Sequence, residues 1–368
     1  MAQLFRILAA FLAMYMQHMT QAPSKLLPVM PTATRTATAT ATNPPTNTPT
    51  RTSTRTPTAT RIPTAANTPF PSAPISATDP LGFEVIGVPP AQKLPSAMLI
   101  YPLVRVSAPT QDTRIEMMNL TSSLVSVQCF YVQGGTCNEI GFFVSLTGNQ
   151  PLSWTASTGF GGNGHRVAPP FTGDGELKCV VVPQSADLSS HNALQGRALV
   201  SDLNPMSNPN AQTIGYTAIG FRRLTPGDFT GVVSLDGVTY EMCPDRLHFQ
   251  VLAQTSSSNS ELVLVPCSQD LELQTPSTAS IQLAIINEFE QHLSGSTNVK
   301  CFNRINFNSL AALKRSSVGT DTAHLMVRGT DVPVVGLVID RFTVGSVPST
   351  SSNEPNLEGG RPATVVLP

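Results

Sequence analysis

The sequence predicts an all-β protein, with two antiparallel, immunoglobulin-like β-sandwich domains behind a disordered Thr/Pro-rich stalk. Three observations carry that expectation. Short runs of alternating or continuous apolar residues are separated by Gly, Pro and Asn, the punctuation of strands and turns. Charged residues make up only 12% of the 368-residue chain, too few to cover the wet faces of a helical bundle. No segment holds a 3.6-residue apolar period over three turns, and the best helical candidate, Asn308 to Arg315, is short.

The first 22 residues have the form of a secretory signal. Arg6 supplies a positive start, Ile7 to Met16 form an apolar run, and Thr20-Gln21-Ala22 offers a small-residue cleavage site. The run is short for a membrane span. No later apolar stretch reaches spanning length, so no membrane span is expected in the mature chain. Residues 23 to 95 then read as the stalk. Pro31 to Pro74 is dominated by Thr and Pro and nearly lacks large apolar side chains, so it cannot offset the entropy of ordering. Its prolines bias it toward extended conformations, and its threonines are candidates for O-glycosylation or an unmodified linker. Between residues 23 and 78 five basic residues (Lys25, Arg35, Arg51, Arg55 and Arg61) stand without an acid, while the whole chain has a net charge of -1. Five charges spread along a spacer make a weak local field, so nucleic acid is not an expected partner.

The texture changes from Leu94. Met98 to Val106, Thr113 to Leu120 and Val125 to Val132 read as strands, the last stopping at the turn signal Gly134-Gly135. Phe142 to Leu146, Glu176 to Val182, Arg197 to Ser201, Thr213 to Phe221, Thr230 to Leu235, Val238 to Met242 and Leu247 to Leu252 continue the series. A weak repeat relates Leu103–Val106, Gln111-Asp112 and Val127–Phe130 to Leu262–Val265, Gln269-Asp270 and Val299–Phe302. Duplication and coincidence are both open readings of it. The expected divisions are a first sandwich at 96–258, a second at 259–345 and a flexible C-terminal tail at 346–368.

The stalk, Cys129-Phe130-Tyr131-Val132, Glu176 to Val182, Val265-Pro266-Cys267 and Asn287 to Gln291 resemble exported bacterial proteins of no established activity. The resemblance covers most of residues 96 to 345 and implies export and a β fold. The strand ending in Asn, the polar turn and the following Val-alternating strand resemble the middle strands of bacterial immunoglobulin-like domains.

The mature chain has six cysteines: Cys129, Cys137, Cys179, Cys243, Cys267 and Cys301. In an exported protein that even number reads as three disulfides, with fifteen possible pairings. Cys129 and Cys137 flank a turn and are sterically suited to a bridge. Cys243 and Cys267 flank the strand Leu247 to Leu252, which would leave Cys179 with Cys301. No Cys-x-x-Cys pair is present, so neither a metal nor a cofactor is expected.

The candidate ligand loop runs from Trp154 to His165 and Arg166. Trp154, the single tryptophan, reads either as a sugar-stacking platform or as a buried core aromatic. Gly159-Phe160-Gly161-Gly162-Asn163-Gly164-His165 has the composition of a phosphate loop, but Pro169-Pro170 follows where a helix would have to start, so a flexible connection is expected. Glu288, Glu290 and His292 have the spacing of one strand face, which suits a divalent ion or simply solvent. Asp245, Arg246 and His248 read as an ion pair at the start of a strand. Neither a Gly-x-Ser-x-Gly elbow nor a His-Glu-x-x-His helix is present. The expectation is a non-catalytic extracellular or cell-surface protein with a structural or adhesive role, its partners being cell-surface components or glycans. The alternative is a carbohydrate-binding module or hydrolase built on the Trp154 to His165 loop.

Overall fold

Alternating and fully apolar runs become strands wherever a neighbouring strand can take up their backbone hydrogen bonds. The computed structural model describes residues 94–107, 110–182, 191–202, 212–344 and 347–368. The expected signal peptide and all but the last residues of the expected stalk lie outside them. In chain order the strands are β1 (Met98–Val106), β2 (Gln111–Asn119), β3 (Val125–Gln133), β4 (Glu139–Leu146), β5 (Pro151–Thr155), β6 (Gly173–Val182) and β7 (Leu194–Asp202). Next come β8 (Thr213–Thr217), β9 (Ile219–Phe221), β10 (Val232–Leu235), β11 (Arg246–Leu252), β12 (Glu261–Pro266), β13 (Gln269–Asp270) and β14 (Thr278–Asn287). The last are β15 (His292–Lys300), β16 (Asn303–Asn306), β17 (Thr322–Gly329), β18 (Val334–Val344), β19 (Val347–Asn353), β20 (Asn356–Glu358) and β21 (Ala363–Val366).

Among the described residues these strands form five sheets. Their strand orders are β4-β3-β6-β1-β9, β5-β2-β7-β8, β15-β14-β17-β11-β20, β16-β12-β18-β19 and β10-β21-β13. This corrects the expectation of two immunoglobulin-like β-sandwiches. Five sheets match the blade number of a five-bladed β-propeller, and several of them recruit strands from distant parts of the chain. β11 is paired on one side by β17 and on the other by β20, and β10 pairs with β21. Alternation identifies a strand but carries no information about its partner, which is where the expectation failed.

Burial follows the pairing. β1, β3, β6 and β12 are buried along almost their whole length, so both of their faces are covered. β2, β14 and β17 alternate between buried and open positions and leave one face to solvent. The larger core gathers residues from Ala97 to Cys243 together with Val263, Val265, Val335, Leu337, Ile339 and Val365. The smaller packs β11, β14 and β17 against Leu262, Leu264 and Val338. β12 and β18 therefore serve both cores with opposite faces.

Several local expectations are corrected. Residues 347–368, expected as a flexible tail, supply β19, β20 and β21. Val238 to Met242 is not a strand, because Asp236 Oδ1 accepts hydrogen bonds from the amides of Val238 (2.8 Å) and Thr239 (2.6 Å) and folds the chain into a turn. Asn308 to Arg315 is not a continuous helix. Two 3-10 turns, Phe307–Ser309 and Ala311–Leu313, precede the single-turn helix α1 (Arg315–Val318). The repeat does not place equivalent segments equivalently: β3 shares a sheet with β1, but β15 and β12 lie in different sheets.

The six cysteines form three disulfides: Cys129–Cys179, Cys137–Cys301 and Cys243–Cys267. Of the expected pairings only Cys243–Cys267 forms. Cys129 faces Cys179 in register across β3 and β6, so it is closer to that partner than to Cys137. Cys137, in the turn after β3, reaches Cys301 at the end of β15 over a separation of 164 residues.

Candidate functional site

One groove lies on the open face of the β5-β2-β7-β8 sheet and has a volume of about 590 Å³. Pairing places Ser153, Glu116 and Arg197 side by side across β5, β2 and β7. Because side chains alternate, Arg114, Glu116 and Met118 of β2 share this face, while Ile115 and Met117 point into the core. Arg197 Nε donates to Glu116 Oε2 at 2.6 Å, and Arg114 Nε lies 3.1 Å from Glu116 Oε1. Arg114 Nη2 donates to Ser153 Oγ at 3.1 Å. Two guanidinium groups thus bracket one carboxylate above a floor of Met118, Leu152 and Pro151. The surplus positive charge and planar N–H donors suit an oxyanion or a polyhydroxylated ligand.

A second groove of about 570 Å³ opens on the β15-β14-β17-β11-β20 sheet. Arg246, Gln282, Met326, Arg328, Ser294 and Ser296 line it. Asp245 anchors its rim, with Arg328 Nε at 3.0 Å and the Nε atoms of Arg246 and Arg361 at 3.6 Å. Beside it, His248 Nε2 is 2.5 Å from Glu358 Oε2, and His248 Nδ1 is 2.9 Å from His324 Nε2. The two imidazoles stack with centroids 5.1 Å apart. Partial burial first, and the neighbouring His248 second, hold the His324 pKa below its ordinary value. The expected Asp245–Arg246 ion pair is present, but His248 joins Glu358 and His324 instead. Nothing in the local sequence marks that chain, because Glu358 and His324 are distant along the polypeptide.

The expected ligand loop is only partly assembled. Trp154 is buried, and its Nε1 donates to Tyr131 Oη at 2.6 Å. Its ring meets Phe142 edge to face at 6.1 Å, so it is a core aromatic and not a platform. The loop after it is tied down by backbone bridges Trp154–Gly161 and Phe160–Arg166. His165 and Arg166 are exposed, and the Arg166 guanidinium sits 5.2 Å from the centroid of the exposed Phe160 ring. The structure therefore brings Arg166 to Phe160 and leaves Trp154 below them.

Glu288, Glu290 and His292 do not share a strand face. Glu288 and Glu290 lie in the turn between β14 and β15, and Glu290 has a positive φ of 60°. Glu288 Oε1 accepts instead from Thr322 Oγ1 at 2.8 Å. Among the described residues, no group of three or more His, Cys, Asp or Glu side chains has the arrangement of a metal site. No helix among them is long and apolar enough to cross a membrane.

No family model and no curated protein matches the chain. Two solved structures are similar to part of it. One is a crystal structure described as Thermotoga maritima 1070, at 12% identity, covering 32% of this chain and 98% of that one, with a TM-score of 0.26. The other is the PBSX exported protein XepA, at 8% identity, covering 66% of this chain and 83% of that one, with a TM-score of 0.17. Neither likeness carries an argument about fold or function.

Proposed function

We propose that the chain is an extracellular, disulfide-bonded β protein with a structural or adhesive role, engaging cell-surface material through its open sheet faces. The observation that carries this reading is the pair of arginine-rimmed grooves on one disulfide-tied body. Three disulfides belong to an oxidising compartment, in keeping with the signal-like N-terminus. The grooves are broad and open, a shape that suits an extended polymer such as a glycan more than a small molecule needing enclosure. The carbohydrate reading thereby moves away from Trp154, which is buried, and onto the grooves.

The test is attachment of the purified, oxidised chain to immobilised cell-surface glycans, acidic ones included, and to whole cells. Saturable attachment that is lost in the Arg114→Ala/Arg197→Ala or the Arg246→Ala/Arg328→Ala double variant supports the proposal. A chain that stays in the cytoplasm with six free thiols, or that attaches to none of these surfaces, overturns it.

A further inference from the structure

A charged cluster reaches into the larger core from the partly buried Glu139. Lys178 and Glu176 lie two residues apart on β6, and both side chains are fully buried. Lys178 Nζ is 2.5 Å from Glu176 Oε1 and 2.6 Å from Gln269 Oε1 on β13. Gln269 Nε2 in turn donates to Glu139 Oε1 of β4 at 2.9 Å. Glu176 Oε2 and Glu139 Oε2 are buried with no hydrogen-bond partner. A lysine ammonium is costly to hold in such a place, and two half-satisfied carboxylates add to the cost. This arrangement is poor as a purely structural network but has the parts of a reaction: an amine, a base and a carboxamide in contact.

We propose that Lys178 and Gln269 are joined by an intramolecular isopeptide bond formed after folding, with Glu176 as the base. Glu176 takes a proton from the Lys178 ammonium, and the freed Nζ electron pair attacks Cδ of Gln269. The Nζ–Cδ bond forms and the Cδ–Nε2 bond breaks. The departing nitrogen, oriented by Glu139, takes the second Nζ proton and leaves as ammonia. Ammonium, carboxylate and carboxamide enter; a secondary amide, a carboxylic acid and ammonia result, so atoms and charge balance without an added reactant. Burial pushes the Glu176 pKa up to about 7, despite the opposing effect of Lys178, so the neutral acid the step produces is well tolerated there. Burial likewise raises the Glu139 pKa. Contact between amine and carboxamide supplies proximity, and the apolar surroundings exclude the water that would compete. The product replaces a buried charge with a neutral amide and ties β6 covalently to β13.

The test is peptide mapping of the folded, secreted chain after its three disulfides are reduced. The expected result is a branched peptide joining the Lys178 and Gln269 segments, one ammonia lighter than their sum, with no tryptic cleavage after Lys178. Glu176→Gln is expected to give linear peptides, and Lys178→Met gives a second linear control that needs no base. Linear peptides with an unmodified Lys178 and Gln269 from the folded wild-type chain would overturn the proposal. So would a branch lighter by one water, which would mean that a glutamate carboxyl had acylated Lys178 in place of Gln269. None of these outcomes depends on whether the chain attaches to cells.

Discussion

At the scale of single residues, the most informative side chain is Trp154. Its indole donates to Tyr131 inside a cluster that also holds Phe142 and Phe171, the last stacked on Tyr131 at 4.9 Å. Trp154→Phe removes the donor, leaves the buried Tyr131 hydroxyl short of a partner and opens a small void. The expected loss is about 2 kcal/mol, read from the shift of a urea midpoint at unchanged slope. A variant as stable as the parent would show that the indole N–H adds nothing to the core. His324 offers a pH test. Its folded-state pKa is lowered, so near and below its ordinary value the unfolded chain binds more protons than the folded one. Stability should therefore fall as pH drops through that value, from about pH 7 toward pH 5. Buried Glu176 titrates with the opposite sign in the same window, so the His324 slope is read from the difference between thermal melts of the parent and of His324→Gln, which should grow as pH falls.

At the scale of elements, the edges and staples decide most. β21, between β10 and β13, brings Val365 into the larger core, and Leu367 just after it packs there too. Ending the chain after Gly360 would remove both side chains from the core and unpair both neighbours. The burial lost is worth about 4 kcal/mol, which should appear as a sharp drop in secreted protein and in protease resistance. Unchanged yield and resistance would show β21 to be dispensable. The disulfides should differ in weight as their loops do. Cys137–Cys301 spans 164 residues and Cys243–Cys267 only 24, so chain entropy makes the first worth about 2 kcal/mol more. Paired Cys→Ser variants compared by denaturant midpoint measure the difference directly, and an equal loss for the two would show that native-state packing outweighs loop length.

At the scale of the whole molecule, the described residues fall within one compact unit. The larger core crosses the boundary expected between residues 258 and 259, since Val263, Val335 and Leu337 belong to the same core as Val127 and Leu177. β12 and β18 share themselves between the two cores, so neither can melt without exposing part of the other. Calorimetry should find one transition, with calorimetric and van't Hoff enthalpies in agreement. Two separated transitions would mean that the halves fold independently after all.

What the amino-acid sequence determined by itself is local. Val125 to Val132 could only be a strand because its alternation matches the two-residue period of the pleat, and Gly134-Gly135 could only end it. The even cysteine count pointed to three bridges by the same kind of reasoning, and the scarcity of helical periodicity established the β class. Partners were another matter. Whether Cys129 joins Cys137 or Cys179, and whether Trp154 faces a ligand or Tyr131, depends on which strands meet. So does whether Lys178 finds Glu176 alone or Gln269 as well, 91 residues away. Strand pairing is a contest among long-range contacts of similar local appearance, settled only by the burial and hydrogen bonding of the whole chain at once. The tertiary structure alone could place a buried amine against a carboxamide.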